Sequence, residues 1–516
     1  MKKTLFILII IVAFAGSSCE KKLNQLPISS ATTPTFYAQP SDFIQAVNAA
    51  YNSLRGYPDR LMELSEVRSD NIYPTNNDVG RDHDPINNFV PGIAPNVYVE
   101  EGWKADYSGI FKANIVLEQL VKNAGFVGSA ALATRLAAEA KFLRAFFYFD
   151  LVKYYGKVPV IDHTVSAAEA NLISRNPVSD VYTLIISDLQ YAITNLPANF
   201  AGAYPAYGAT DIGRATKYAA EAILAQVYMA RSGPNYGIDG PGMALNEWNL
   251  ALPLLQDIIT NGGFVFNPAQ YAFPVPATGI FSYSNQSPAA NKEAIFDVMY
   301  LTQASSGLGA TYPWVLVPQG YFNVYGNPST SGALGAPSVS TNLVNSYAAS
   351  DKRLSPTIHT TGYGSDAFPF YRKYLDTTKV PSTNSRFDWG INFIAVRYTD
   401  VLMLKAECIL HGAPGTQGDV DAIVNQVRAR AGQAAIANVT LPQLFDERRR
   451  EFAGEGSRWF DLQRSGNLVT IMNAWRTVED ATLHKISPII ANYIIYPVPQ
   501  SQIDAAPGLY TQNPGY

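Results

Sequence analysis

The chain has 516 residues, 47% hydrophobic and 16% charged, which is ordinary globular composition and enough for a large core or several packed units. The formal charge of -4, with no Arg/Lys run interleaved with aromatics, excludes the basic face that a nucleic-acid binder requires. Aromatics are abundant at 12%, mostly 31 Tyr and 25 Phe.

Met1-Lys2-Lys3 followed by the apolar run Thr4 to Ala15 has the form of an export signal over residues 1–18, because the run is too short for a membrane-spanning helix. Gly16-Ser17-Ser18-Cys19 resembles a lipoprotein cleavage box, with Gly16 where an aliphatic residue is usual. The expectation is that Cys19 carries the lipid and residues 19–40 form a tether. The alternative is ordinary cleavage nearby, leaving Cys19 a free thiol. Stable attachment needs several acyl chains, since each buried CH2 contributes little. Cys408 lies in a helical pattern and reads as a small core residue; two Cys so placed give no disulfide framework and no metal motif.

From Ser41, the spacing of Ile44, Val47, Tyr51 and Leu54 predicts a helix closed by Gly56. Met62 to Pro95 is irregular and crowded with polar residues, among them Asn71, Tyr73 and Arg81. Loops of that length are uncommon unless functional or disordered. Trp103 to Val121 and Leu132 to Tyr155 read as amphipathic helices. Further helices run through Tyr182 to Ile193, Lys217 to Tyr228 and Trp248 to Ile259. Pairs of similar length, rich in Ala and Tyr, suggest an α-solenoid like degenerate tetratricopeptide repeats.

Periodicity breaks between Gly262 and Asn392, where Gly, Pro, Ser, Thr and aromatics dominate. A loop-rich insert in a helical protein is where function concentrates. Tyr and Trp offer an apolar face and a polar handle, which suits sugar rings. Candidate ligand-binding residues are Asn71, Tyr73 and Arg81 from the polar loop, with Tyr283, Tyr312, Trp314, Tyr321, Tyr325 and Trp389 from the insert. The competing reading makes these rings the insert's own core.

Helical pattern resumes after Arg397-Tyr398 and leads to Asp446–Arg464, DERRREFAGEGSRWFDLQR. At helical spacing Arg448 shares a face with Leu441, Leu444, Phe445 and Phe452. A guanidinium there must be paired, because an unpaired buried charge is costly. Glu451, Glu455 and Asp461 are its candidate partners. With Arg458, and with Arg144 on an earlier helix, they make a candidate structural ion-pair network. The competing reading is a carboxylate pair performing acid/base chemistry.

Glu447 to Phe452 with Gly454 to Arg464 resembles the ERRxELxxEGxRWxDLxR segment of the SusD/RagB family. AEAKFLRAFFYFDLVKYYGKVPV (Ala138 to Val160), RYTDVLMLKAECIL (Arg397 to Leu410) and the final Gln512-Asn513-Pro514-Gly515-Tyr516 resemble other segments of that family. The resemblance covers about Ser41 to the last residue and is weakest from Gly262 to Asn392. It implies a mostly α fold: an α-α superhelix of degenerate tetratricopeptide-like helix pairs with a large loop-rich insert. Residues 41–261 and 393–516 would form the helical frame, and 262–392 the ligand surface. It implies an outer-membrane lipoprotein, facing outward, that binds a glycan or possibly a peptide and passes it to a SusC-like TonB-dependent transporter.

No HExxH, G-x-S-x-G, P-loop or EF-hand pattern is present, and the five His show no metal spacing. No enzyme activity, cofactor or metal is therefore expected. The alternatives are a secreted or tethered glycoside hydrolase and a repeat scaffold that binds only proteins.

Overall fold

A computed structural model describes residues 36–73, 82–267, 279–286, 291–301, 307–318, 320–321, 324, 337–363, 367–376 and 388–516. The signal segment, Cys19 and most of the tether, together with Arg81 and Tyr325, lie outside the described residues.

The frame is a run of helices, each packed on its sequence neighbour: α1 (Pro40–Tyr51), α2 (Val97–Lys122), α3 (Ala130–Tyr155), α4 (Val178–Asn195), α5 (Lys217–Ser232) and α6 (Trp248–Asn261). Caps define the long ones. Asn96 accepts from the amides of Tyr98 and Val99, and Ser129 from that of Leu132, satisfying donors that a helix start leaves free. The helix α3 is central, and every residue from Phe142 to Tyr155 is buried. A helix enclosed on all sides carries apolar residues all round, which is why no single stripe dominates it. Gly109 of α2 lets the two helices approach, since a Cβ there would stand 2.3 Å from the Phe147 ring.

After α6 the chain leaves the array, traces the insert, and returns through β4 (Phe393–Arg397) into α8 (Tyr398–Leu410), which packs back on α6. Before returning, the insert contributes β1 (Ala294–Val298), a short helix α7 (Tyr312–Val315) and the two-residue strands β2 (Ile358–His359) and β3 (Phe370–Tyr371). The strand β1 pairs antiparallel with β4, Asp297 opposite Ile394, and β2 pairs with β3. Then follow α9 (Gln417–Arg430), α10 (Leu441–Phe452), α11 (Arg458–Ser465) and α12 (Leu468–Glu479). The mostly helical frame with a loop-rich insert is the architecture expected from the sequence. Cys408 is a buried free thiol, and among the described residues no helix is long and apolar enough to cross a membrane.

The last residues are folded into this frame. Asn513 Nδ2 donates to the carbonyls of Tyr155 (3.0 Å) and Tyr496 (2.7 Å). The Tyr516 hydroxyl accepts from Arg68 (2.9 Å), whose guanidinium also lies 4.0 Å over the Phe89 ring. Asn513→Ala leaves two buried carbonyls without donors and is expected to cost about 1–3 kcal/mol, read as a lowered urea midpoint at unchanged slope.

A titrating pair links α5 to α6. Lys217 bridges Asp257 (2.6 Å) and Glu221 (3.3 Å). Burial and the neighbouring Asp257 carboxyl push Glu221 up to about 8 from 4.5. A group whose folded pKa is raised stabilises fully below its unfolded value and loses that contribution as pH rises through the folded one. Melting temperature is therefore expected to fall as pH rises from 4.5 through 8, and Glu221→Gln to flatten that slope in a pH series of thermal melts.

Candidate functional site

The polar loop and the insert meet on a base built by the Asp446–Arg464 stretch. Thr440 and Gln443 form a capping box at the start of α10. Gly454 and Gly456, both at φ +77, turn the chain into α11, a left-handed conformation that disfavours residues bearing a Cβ. This turn holds Glu455 at the ends of Lys373 (2.8 Å) and Arg397 (2.8 Å). Glu451 takes Arg430 (2.7 Å), Arg397 (3.0 Å) and Arg353 (3.4 Å). Burial alone would raise the Glu451 carboxyl, but Arg430, Arg397 and Arg353 outweigh it and hold it at about 2.

Arg448 is paired with Asp461 (3.0 Å) and Asp400 (2.8 Å), not with Glu451 or Glu455. The reason is direction: α11 folds back across α10 and presents Asp461 to Arg448. The two glutamates instead serve basic residues of the insert, β4 and α9. Arg144 belongs to a separate pair, bonding Asp188 of α4 through Nε (2.7 Å) and Nη2 (3.0 Å) and Asn114 of α2 through Nη1 (2.8 Å).

The same stretch grips the polar loop. Arg458 donates bidentately to Asp70, at 2.8 Å to each oxygen. Arg449 donates to the Asn71 side chain (2.8 Å), the Asp70 carbonyl (2.7 Å) and the Asn342 side chain (2.7 Å). Burial pushes the Asp70 carboxyl up, yet Arg449 and Arg458 together bring it down to about 2. Glu66 accepts from Asn71 (2.9 Å), the Gly454 amide (3.1 Å) and the Tyr371 hydroxyl. Beyond Asn71 the loop pairs with the insert, the Tyr73 amide donating to the Ser338 carbonyl (3.0 Å) and the Ser340 amide to that of Asn71 (2.8 Å).

These contacts correct part of the ligand-residue expectation. Asn71 is 0% exposed and Tyr73 4%, its hydroxyl given to Asp480 (2.7 Å) and its ring edge-on to Trp475. Both hold the loop in place. Tyr312, Tyr321 and Trp389 are buried in the insert's own core. The Tyr312 ring lies 5.0 Å from Tyr374 and 5.3 Å from Phe393, and Trp389 is bridged to Ala310. An insert with little regular secondary structure has few aliphatic faces to bury, so its large rings supply the core.

Trp314 and Tyr283 remain half-buried. Two further half-buried rings, Tyr300 and Tyr363, were not singled out from the sequence. Tyr363 lies 5.7 Å from Tyr321 and 4.6 Å from the His359 ring. Nothing in local composition separates these from their buried neighbours. A cavity beside the ion-pair network, lined by Lys153, Arg448 and Asp461, has about 110 Å³, well below the ~300–1,000 Å³ of small-molecule sites.

Residues 352–516 match the SusD family, and residues 30–229 match the family described as starch-binding and associating with the outer membrane. Both end-to-end relatives and folds agree. SusD-like protein P2 of Formosa agariphila is 26% identical over 549 aligned positions, covering 99% of this chain and 98% of that protein. A SusD-like protein of Bacteroides ovatus is 25% identical, covering 90% and 82%. Among solved structures, surface glycan-binding protein A from Bacteroides uniformis superposes with TM-score 0.75 at 23% identity, covering 92% of this chain and 100% of that one. The same-named protein from Bacteroides thetaiotaomicron in complex with laminarihexaose gives 0.74 at 23%, covering 93% and 100%. The chain belongs to the SusD/RagB family.

Removing one partner of a buried ion pair leaves the other charge uncompensated. Asp70→Asn is expected to cost about 3–5 kcal/mol by urea unfolding. Because Asp70 and Glu451 are both held down near 2, their stabilisation is present above their unfolded values of 3.8 and 4.5 and is lost as pH falls towards 2. Acid titration followed by circular dichroism checks the window.

Proposed function

We propose that this chain is a non-catalytic, lipid-anchored protein of the outer membrane that binds an oligosaccharide and passes it to a partner TonB-dependent transporter. The observation that carries the reading is the match in fold, over more than nine-tenths of the chain, to proteins named as surface glycan-binding. In this reading residues 262–392 supply the ligand surface, 41–261 with 393–516 supply the rigid frame, and Cys19 carries the lipid. Trp314 and Tyr283, both half-buried, are the candidate ligand rings of the insert that keep surface access.

The ion-pair network beneath the insert does not supply a hydrolytic pair of carboxyls. A glycosidase needs one carboxyl kept protonated near its working pH and a second placed across the reacting bond. Glu451 and Asp70 are held ionised by arginines. Glu66, raised by burial, is 1% exposed, and three donors already converge on its Oε1.

The test is thermal melting and calorimetric titration of the mature chain with laminarihexaose and a panel of other neutral glycans. Binding raises the melting temperature by mass action, and millimolar affinity corresponds to about -4 kcal/mol. Trp314→Ala is expected to weaken binding by up to about tenfold, since an aromatic stack is worth ~0.5–1.5 kcal/mol, measured at a temperature where the variant is still folded. Release of reducing ends by the purified protein would overturn the reading.

A further inference from the structure

One corner of the frame is sparing in charge. Residues 36–51, which open the described chain, and residues 121–134, which connect α2 to α3, contain two charged side chains, Asp42 and Lys122. Asp42 is buried and turned inward, accepting from the amides of Ala38 (3.0 Å) and Gln39 (3.1 Å). Lys122 is exposed at the end of α2. These segments therefore show solvent one positive charge and no carboxylate. They also touch, since a Cβ on Gly128 would stand 2.8 Å from Pro40 Cγ. Beneath them Tyr37, Phe43, Val47, Leu120 and Val127 form an apolar cluster separate from the main core.

Two apolar side chains stay outside that cluster. Val121 is 81% exposed, and Phe126, which closes the single 3-10 turn Ala124–Phe126, is 54% exposed. Isolated exposed apolar residues are normal on a protein surface. The setting distinguishes these two, because their neighbours are Lys122, Ala124, Gly125 and Gly128, all exposed and none acidic. Val478, 71% exposed on α12, lies instead beside Glu479. A layer of anionic headgroups repels a carboxylate and attracts a lysine, while a phenyl ring gains by entering the boundary with the acyl chains.

The tether indicates what lies opposite. The described chain starts in this corner at Phe36, 17 residues after Cys19. That span is at most about 60 Å, so this corner has the shortest covalent path to a lipid on Cys19. Tethering raises the effective concentration to the order of millimolar, so a few contacts suffice. An acyl anchor in turn is held more firmly by a second, basic or apolar, contact. We propose that Val121, Lys122 and Phe126 form a membrane-contact face that seats this end of the frame on an anionic lipid surface. The choice of lipid rests on the anchor in the proposed function, whereas the uncharged, apolar corner stands without it.

The test holds the chain on a membrane without relying on acylation. The chain from Glu20 carries an N-terminal hexahistidine tag in place of Cys19 and is bound to phosphatidylcholine–phosphatidylglycerol vesicles through a nickel-chelating lipid. A polarity-sensitive nitrobenzoxadiazole dye is placed on Phe126→Cys; Cys408 is buried and escapes labelling. On the vesicles its emission is expected to shift to shorter wavelength and to be quenched by a nitroxide on the acyl chains, while the same dye on Val478→Cys keeps its solution spectrum. Val121→Asp with Lys122→Glu, both at exposed positions, is expected to reduce that quenching at least about fivefold. No shift on vesicles, a shift already present in the free chain, or quenching untouched by the paired substitution overturns the proposal. A shift that appears only when a transporter shares the membrane assigns the face to a protein and overturns it equally. Failure of the anchor would show separately, as an N-terminal peptide of the cell-derived protein without acyl mass on Cys19.

Discussion

The carboxylate of Asp70, held by two arginines from the far end of the chain, is the contact on which the arrangement depends. It joins the loop after the first helices to the α10–α11 turn, and that turn reaches the insert through Glu451, Glu455 and Arg449. Three segments far apart in sequence therefore share one buried set of charges. Taking such charges out of water costs several kcal/mol per ion, which their mutual attraction offsets only when geometry and hydrogen bonding are good. Here bidentate Arg458–Asp70 and Arg397–Glu455 pairs meet that condition. The gain from charged over apolar packing is register: a greasy contact tolerates sliding, whereas a fork of donors on a carboxylate accepts one alignment.

Register matters because the insert has little regular structure to position itself. Its strands are short, and its core consists of rings such as Tyr312, Tyr374, Trp389 and Phe393. It borrows rigidity from the frame, by β1 on β4, by Ser338 and Ser340 on the polar loop, and by Arg353 and Lys373 on α10 and the turn after it. A binding surface placed on such an insert can vary in its outer rings while the buried network beneath it stays the same.

The helical array answers a different constraint. Each helix packs on its neighbours, and the chain departs after α6 and re-enters at α8 without breaking the stack. Close approach at Gly109 and the enclosure of α3 make that central layer stiff. Polar cross-links such as Arg144 to Asp188 and Asn114 then tie α2, α3 and α4 at one point.

Much of this was legible in the residues themselves. The 3.6-residue periodicity and the caps marked the helices, the Gly262–Asn392 composition marked the insert, and the charge run beside Phe452 required that Arg448 be paired. Sequence spacing could not say with which carboxylate, because i,i+3 and i,i+4 rules reach only along one helix, whereas Asp461 and Asp400 arrive from others. Nor could it separate Trp314, half-buried, from Tyr312 two residues earlier, wholly buried. The same chemistry that suits a ring to a sugar suits it to a core, and only the path of the chain decided which faces met water.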